Sequence, residues 1–181
     1  MSLPSLAYSR TASSFHWLVA FPTMGSIATV LKAQQSPKEE KGKWMWRHKS
    51  LGLLAGMLIL PRVAYRVLSR PSIVDLPGNS AMENTLGKLG HYGLYAFMTI
   101  MPATGVAMGY YGGKGLPFFG TKFEGASTPN GSIAKNAFSV HKQLGVYGKY
   151  LVPVHVGAAG WHFARGQPIF ARINPFRKSM G

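Results

Sequence analysis

Formal charge disappears from the chain in four places, and in each the side chains that remain are mostly apolar. No charged residue falls between Thr11 and Leu31, and the apolar run from Phe15 to Leu31, with a few flanking residues, predicts a helix over about 15–33. The second run, HKSLGLLAGMLILPRVAYRVL over 48–68, is uncharged from Ser50 to Pro61 and ends on Arg62 and Arg66. Their spacing of four places both on one helix face. The third, LGHYGLYAFMTIMPATGVAMGYYGG, carries no charge from Leu89 to Gly113 and predicts a span over 89–111. The fourth, HKQLGVYGKYLVPVHVGAAGWHFA over 141–164, is interrupted only by Lys142 and Lys149 near its start, where long side chains snorkel to the headgroups. Between the last two lies GKGLPFFGTKFEGASTPNGSIAKN, whose Gly, Pro and Ser content reads as irregular surface loop.

Runs of this length suit a hydrocarbon layer, in which backbone polar groups must be satisfied within the segment itself, so the expected elements are helices. The predicted fold is all-α: a single integral membrane domain over 1–181, a four-helix bundle with both termini on one side. The first run is too long and wrongly flanked for a cleaved signal peptide. Trp17, Trp44, Trp46, Tyr110, Tyr111 and Trp161 stand at span ends, as an interfacial belt requires. A soluble bundle with an apolar core is the alternative, and twenty-five uncharged residues in a row argue against it.

Composition changes the picture in two ways. With no cysteine, the chain has no thiol chemistry, disulfides, zinc fingers or iron–sulfur ligands, so any electron chemistry must come from a bound cofactor. Twenty Lys and Arg against five acids give a net charge of +15, which raises nucleic acid as a partner. The basic residues are spread over loops and tails instead of forming one stripe, so a membrane surface is the expected partner and nucleic acid is not.

All six histidines lie within or at the ends of the spans: His16, His48, His91, His141, His155 and His162. Imidazole inside a membrane is costly and marks function by default. His141 and His155 are fourteen residues apart, so on one continuous helix they face the same way about 21 Å apart. Alternating span directions bring His48 level with His141 at one membrane face, and His16 level with His155 at the other. Paired imidazoles from facing helices suit a six-coordinate haem iron. Gly52, Gly56, Gly145, Gly148, Gly157 and Gly160 leave room for a flat macrocycle, or equally for close helix packing. Zinc or copper needs three or four converging ligands, and a proton relay would recruit intramembrane carboxylates; the spans contain no Asp or Glu.

Four segments in order resemble the bacterial-type cytochrome b561 family, the di-haem membrane cytochromes related to the cytochrome b subunits of nickel–iron hydrogenases. They are YSRTASSFHWL, RHKSLGLLAGMLILPRVAYRV, LGHYGLYAFMTIMPATGVAMGY and VHKQLGVYGKYLVPVHVGAAGWHF. The resemblance implies two haem b groups with bis-histidine iron, one on His16 and His155 and the other on His48 and His141. It places Arg62 and Arg66 near the terminal-side haem as propionate partners, or as snorkelling span-end arginines. His91 and His162 match family histidines and become candidates for a propionate contact, a ubiquinone site or a spare ligand. One-electron transfer is the implied activity, with quinone or superoxide as substrate, and no separate catalytic residue. A structural accessory subunit that keeps the fold without turnover is the alternative.

On this topology nine Lys or Arg fall on the terminal side and eleven on the other, with seven of eight arginines on the first and ten of twelve lysines on the second. The contrast that orients bacterial membrane proteins is missing. A basic, acid-poor chain of this kind suggests a subunit of a respiratory complex in the mitochondrial inner membrane, with the bacterial cytoplasmic membrane as the alternative.

Overall fold

The computed structural model describes residues 8–69, 75–76 and 78–176. Arg70, Arg177 and Lys178, which enter the terminal-side charge count above, lie outside them. Helix α1 spans Arg10–Gln35 and starts on Ser9, whose hydroxyl accepts the Ala12 N–H at 3.1 Å. Ser36 and Pro37 turn the chain directly into α2, Lys38–Ser69, whose first turn carries Glu39 and Glu40 where the helix dipole favours negative charge. Helix α3, Ala81–Tyr111, opens with a full capping box: the Ser80 hydroxyl accepts from the Glu83 N–H, and the Glu83 carboxylate accepts from the Ser80 N–H. Helix α4, Gly131–Gly148, is capped by Asn130; α5, Leu151–Ala164, and the single turn α6, Ile169–Arg172, complete the chain.

Helix α1 packs along α2, α3 along α4, and α2 joins the two pairs through α3, with α5 lying against α3. The buried core is small: Val19, Ala33, Ala55, Ile59, Leu94 and Phe97. The outward faces are apolar, with Leu60, Val154 and Trp161 each more than 60% exposed. A surface of this kind suits lipid and not water. By length and apolarity α1 and α2 qualify as membrane-crossing helices.

Two sequence expectations need correction. The fourth run is not one helix over 141–164: α4 begins ten residues earlier, at Gly131, and breaks after Gly148. Two features meet at the break: Pro153 has no N–H for the Lys149 carbonyl, and Gly148 is packed against the Phe97 ring. The Gly- and Pro-rich segment is also less irregular than its composition implies. It folds an antiparallel hairpin, β1 (Leu116–Phe118) with β2 (Thr121–Phe123), in the register Leu116 to Phe123, Pro117 to Lys122 and Phe118 to Thr121. Phe119, at φ 51°, and Gly120 make its two-residue turn. The hairpin is fastened to α2 by the buried Ser50 hydroxyl, which accepts the Phe119 N–H at 2.9 Å, and by the Trp46 indole N–H, which donates to the Phe119 carbonyl at 2.9 Å.

Candidate functional site

Two pairs of histidine rings meet across helix boundaries, their planes inclined at 74° for His48 and His141 and at 46° for His16 and His155. His48 of α2 and His141 of α4 hold their centroids 6.2 Å apart, and His16 of α1 and His155 of α5 hold theirs 6.3 Å apart. An imidazole nitrogen binds a transition metal at about 2 Å and the ring adds about 1 Å on each side, so two rings facing one ion sit about 6 Å apart between centroids. Both pairs meet that spacing and thus fit axial ligation of an iron. They are also the pairs that span direction and height predict. Among the described residues no group of three or more His, Cys, Asp or Glu side chains is arranged to hold a metal ion.

The His48 and His141 rings are oriented by neighbouring helices. His48 Nδ1 lies 2.9 Å from the Ser26 carbonyl of α1, and His141 Nδ1 lies 3.1 Å from the Met101 carbonyl of α3. A carbonyl only accepts, so each Nδ1 carries the proton and each Nε2 keeps its lone pair for a ligand bond. A hydroxyl stands beside each Nδ1 at 3.0 Å, Ser26 Oγ in one case and Thr104 Oγ1 in the other. Gly105 of α3 lies beside the His141 ring, where a Cβ would touch Cε1 at 3.4 Å.

These rings border a cavity of about 900 Å³ between α1, α2, α3 and α4, walled mainly by aliphatic side chains, Met98, Met101, Phe97 and Phe138. That volume is at the upper end for cofactor sites. Two of the glycines expected to make room for a macrocycle serve helix packing instead. A Cβ on Gly56 would lie 2.7 Å from Pro102, and one on Gly148 would lie inside the Phe97 ring contact. Among the described residues, Gly157 and Gly160 have nothing within 4 Å of an added Cβ.

At the terminal side a third ring joins the pair. His91 of α3 contacts His155 edge-on at 5.3 Å, too close for an ion between them, and its Nδ1–H donates to the Gly87 carbonyl at 2.7 Å. The guanidinium of Arg62 stacks over Tyr95 at 5.3 Å, and its charge reaches His16, His91 and His155. Arg66 and Arg172 also act on His91. Among the described residues neither Arg62 nor Arg66 has a carboxylate partner. His162 is drawn elsewhere: its Nδ1 bonds the Gln167 side chain, whose amide donates to Asn79 at 2.8 Å in the link between α2 and α3.

Sequence reasoning missed Ser26, Thr104 and Arg172. Hydroxyls inside helices ordinarily bond the preceding turn, as Thr104 also does to the Ile100 carbonyl, so nothing in the linear pattern marks them as histidine partners. Arg172, only 7% exposed, comes from a tail turned back onto α1 through the Trp17 indole, which donates to the Ile173 carbonyl at 3.0 Å.

The family model described as prokaryotic cytochrome b561 matches residues 7–175. Cytochrome b561 homolog 1 of Escherichia coli (strain K12) is 27% identical over 175 residues, covering 94% of this chain and 98% of that protein. Cytochrome b561 homolog 2 of the same organism is 29% identical over 127 residues, 62% of this chain and 61% of that protein. The probable superoxide oxidase CybB of Yersinia pestis is 24% identical over 155 residues, 86% of this chain and 88% of that protein. The matching family is prokaryotic and the relatives are bacterial. The expectation of a mitochondrial inner membrane therefore finds no support; it rested on charge balance, which reports solubility and insertion physics and not ancestry.

Proposed function

We propose, from the fact that the chain belongs to the prokaryotic cytochrome b561 family, that it holds two b-type haems in a four-helix membrane bundle and passes single electrons between them. Binding of b-type haem and membrane electron transfer come with the family; two groups and bis-histidine ligation are our own assignment. The observation that carries it is the presence of two separate histidine pairs at 6.2 and 6.3 Å, one at each end of the bundle. His48 and His141 would hold one haem, and His16 and His155 the other. In this reading haem iron supplies the one-electron couple, and the protein supplies ligands, burial and charge.

The chain's own residues divide that work. Ser26, Met101 and Thr104 hold the imidazoles in one tautomer and one orientation. Arg62 and Arg66, unpaired with any carboxylate among the described residues, are positioned to neutralise propionates at the terminal side. Exchange with a quinone at the terminal end, where His91 and Arg62 lie beside the His16–His155 pair, is the substrate step we assign first. Superoxide is the second candidate, favoured by the relative named a probable superoxide oxidase. The apolar outer faces leave room for further membrane subunits, and a respiratory assembly is the partner we would seek first.

The test is a dithionite-reduced minus oxidised spectrum of the detergent-solubilised protein, with haem counted per chain. Two b-type haems, falling to one in His16→Ala and to one in His48→Ala, are expected. Two haems retained in either variant, or none in the parent protein, overturns the assignment.

A further inference from the structure

Among the described residues, the cavity beside His48 and His141 is lined by six lysines, Lys41, Lys49, Lys114, Lys135, Lys142 and Lys149, and by no carboxylate. Its remaining wall is almost wholly apolar. A body complementary to it is therefore apolar over most of its surface and negatively charged at an edge. Two of the lysines stand out by how they are placed. Lys49 follows His48 directly on α2. Lys114 sits in the turn Gly113-Lys114-Gly115, where both glycines are left-handed, at φ 67° and 69°. A side chain at Gly115 would place its Cβ 2.4 Å from the Phe123 carbonyl, and one at Gly113 would place it 2.8 Å from Pro129. The turn is thus closed to other residues at both flanks and holds one lysine against the cavity, tied back by the Gly115 N–H donating to the Gly109 carbonyl at 3.1 Å.

The two lysines come from different elements, Lys49 from α2 and Lys114 from the turn ahead of β1, and both line this cavity. Among the described residues neither has an ion-pair partner. Like charges brought together at the mouth of one cavity cost energy unless an anion lies between them.

We propose that Lys49 and Lys114 form a clamp for the carboxylate groups of the haem held between His48 and His141, the lysine counterpart of the arginines at the other end. The clamp rests on the haem assignment above and extends it to residues outside the ligand set. An ammonium beside the carboxylates also disfavours the more positive oxidised state of the centre, so these lysines set its potential as well as its retention.

The experiment is a spectroelectrochemical titration of the detergent-solubilised protein with Lys49→Met, Lys114→Met and the charge-keeping Lys49→Arg and Lys114→Arg. The wave of the His48/His141 centre is identified as the one that persists in His16→Ala. Each Met substitution is expected to shift that reduction equilibrium about tenfold toward the oxidised form, a fall of about 59 mV for one electron. The other wave stays in place and the Arg variants remain near the parent. Two retained haems with both waves unmoved in the Met variants overturn the clamp while leaving the haem assignment intact. A parent protein without a haem at His48 and His141 removes the haem assignment and the clamp together. Loss of bound phospholipid phosphorus in the Met variants, with unmoved waves, assigns the lysines to lipid headgroups and also overturns the clamp.

Discussion

Ser26 of α1 holds the His48 ring of α2 with both its oxygens: its carbonyl accepts the Nδ1–H at 2.9 Å, and its side-chain hydroxyl lies 3.0 Å from the same nitrogen. Met101 and Thr104 of α3 repeat the arrangement on His141 of α4. Each imidazole is therefore aimed by a helix other than its own. Removing the hydroxyls leaves the carbonyl bonds but loosens the rings. Ser26→Ala and Thr104→Val should each weaken haem affinity at this centre by about 10–100-fold, the usual cost of losing an orienting partner. Transfer of haem to apomyoglobin measures it, and equal transfer rates in parent and variants would show that the hydroxyls orient nothing.

His91 gives a prediction of the opposite kind. It touches His155 edge-on at 5.3 Å, and its Nδ1–H is satisfied within its own helix by Gly87. That separation is short of the roughly 6 Å needed for an ion between two rings. His91→Ala should accordingly leave two haems per chain while altering the spectrum or potential of the His16/His155 centre. Loss of one haem would make His91, and not His16, the ligand opposite His155.

The histidine pairs were legible in the sequence because they depend on span order and on distance from each span's start, both of which survive in one dimension. Their supports were not. Ser26 and His48 are 22 residues apart and Thr104 and His141 are 37 apart, and no local rule connects them. The break in the fourth run was visible as Pro153, yet proline occurs inside α1, α2 and α3 at Pro22, Pro61 and Pro102 without ending those helices. What distinguishes Pro153 is Gly148 ahead of it, whose close packing on Phe97 is a tertiary fact. The hairpin was hidden by its size, since three-residue strands give too short an alternation to read.

Gly148 makes that packing testable. A Cβ at this position would fall within the van der Waals surface of the buried Phe97 ring of α3. Gly148→Ala should destabilise the protein by about 1–3 kcal/mol, the range for overpacking. Adding Phe97→Leu should recover part of the loss, because the smaller side chain vacates the ring's place. Thermal denaturation in detergent of both variants checks it, and a fully additive double variant would mean that the two residues do not meet.

Ser50 links α2 to the hairpin that borders the lysine-lined cavity. It is buried, accepts the Phe119 N–H at 2.9 Å, and lies 3.4 Å from the Pro117 carbonyl. Ser50→Ala leaves the Phe119 N–H without that partner, at a cost of about 1–3 kcal/mol. The loss should concentrate in the hairpin, so hydrogen exchange at residues 116–123 should accelerate well beyond that of the α1–α2 contact. Uniform acceleration across the chain would instead show that Ser50 supports the whole bundle.

At the other end of the molecule, Glu83 closes the capping box of α3 and also meets Arg165 beyond α5. The Ser80 backbone N–H, and after it Arg165, hold its carboxyl below the usual carboxylate range. A group whose folded value is depressed contributes stability that is present above its unfolded value of about 4.3 and disappears as pH falls through the folded one. Thermal stability should therefore decline as pH is lowered past the ordinary carboxylate range, and Glu83→Gln should decline less steeply over the same interval. Because the carboxylate is solvent-accessible, the Arg165 share should also shrink in high salt while the Ser80 bond persists. Parallel pH profiles for parent and variant would show that the cap does not distinguish the folded from the unfolded carboxyl.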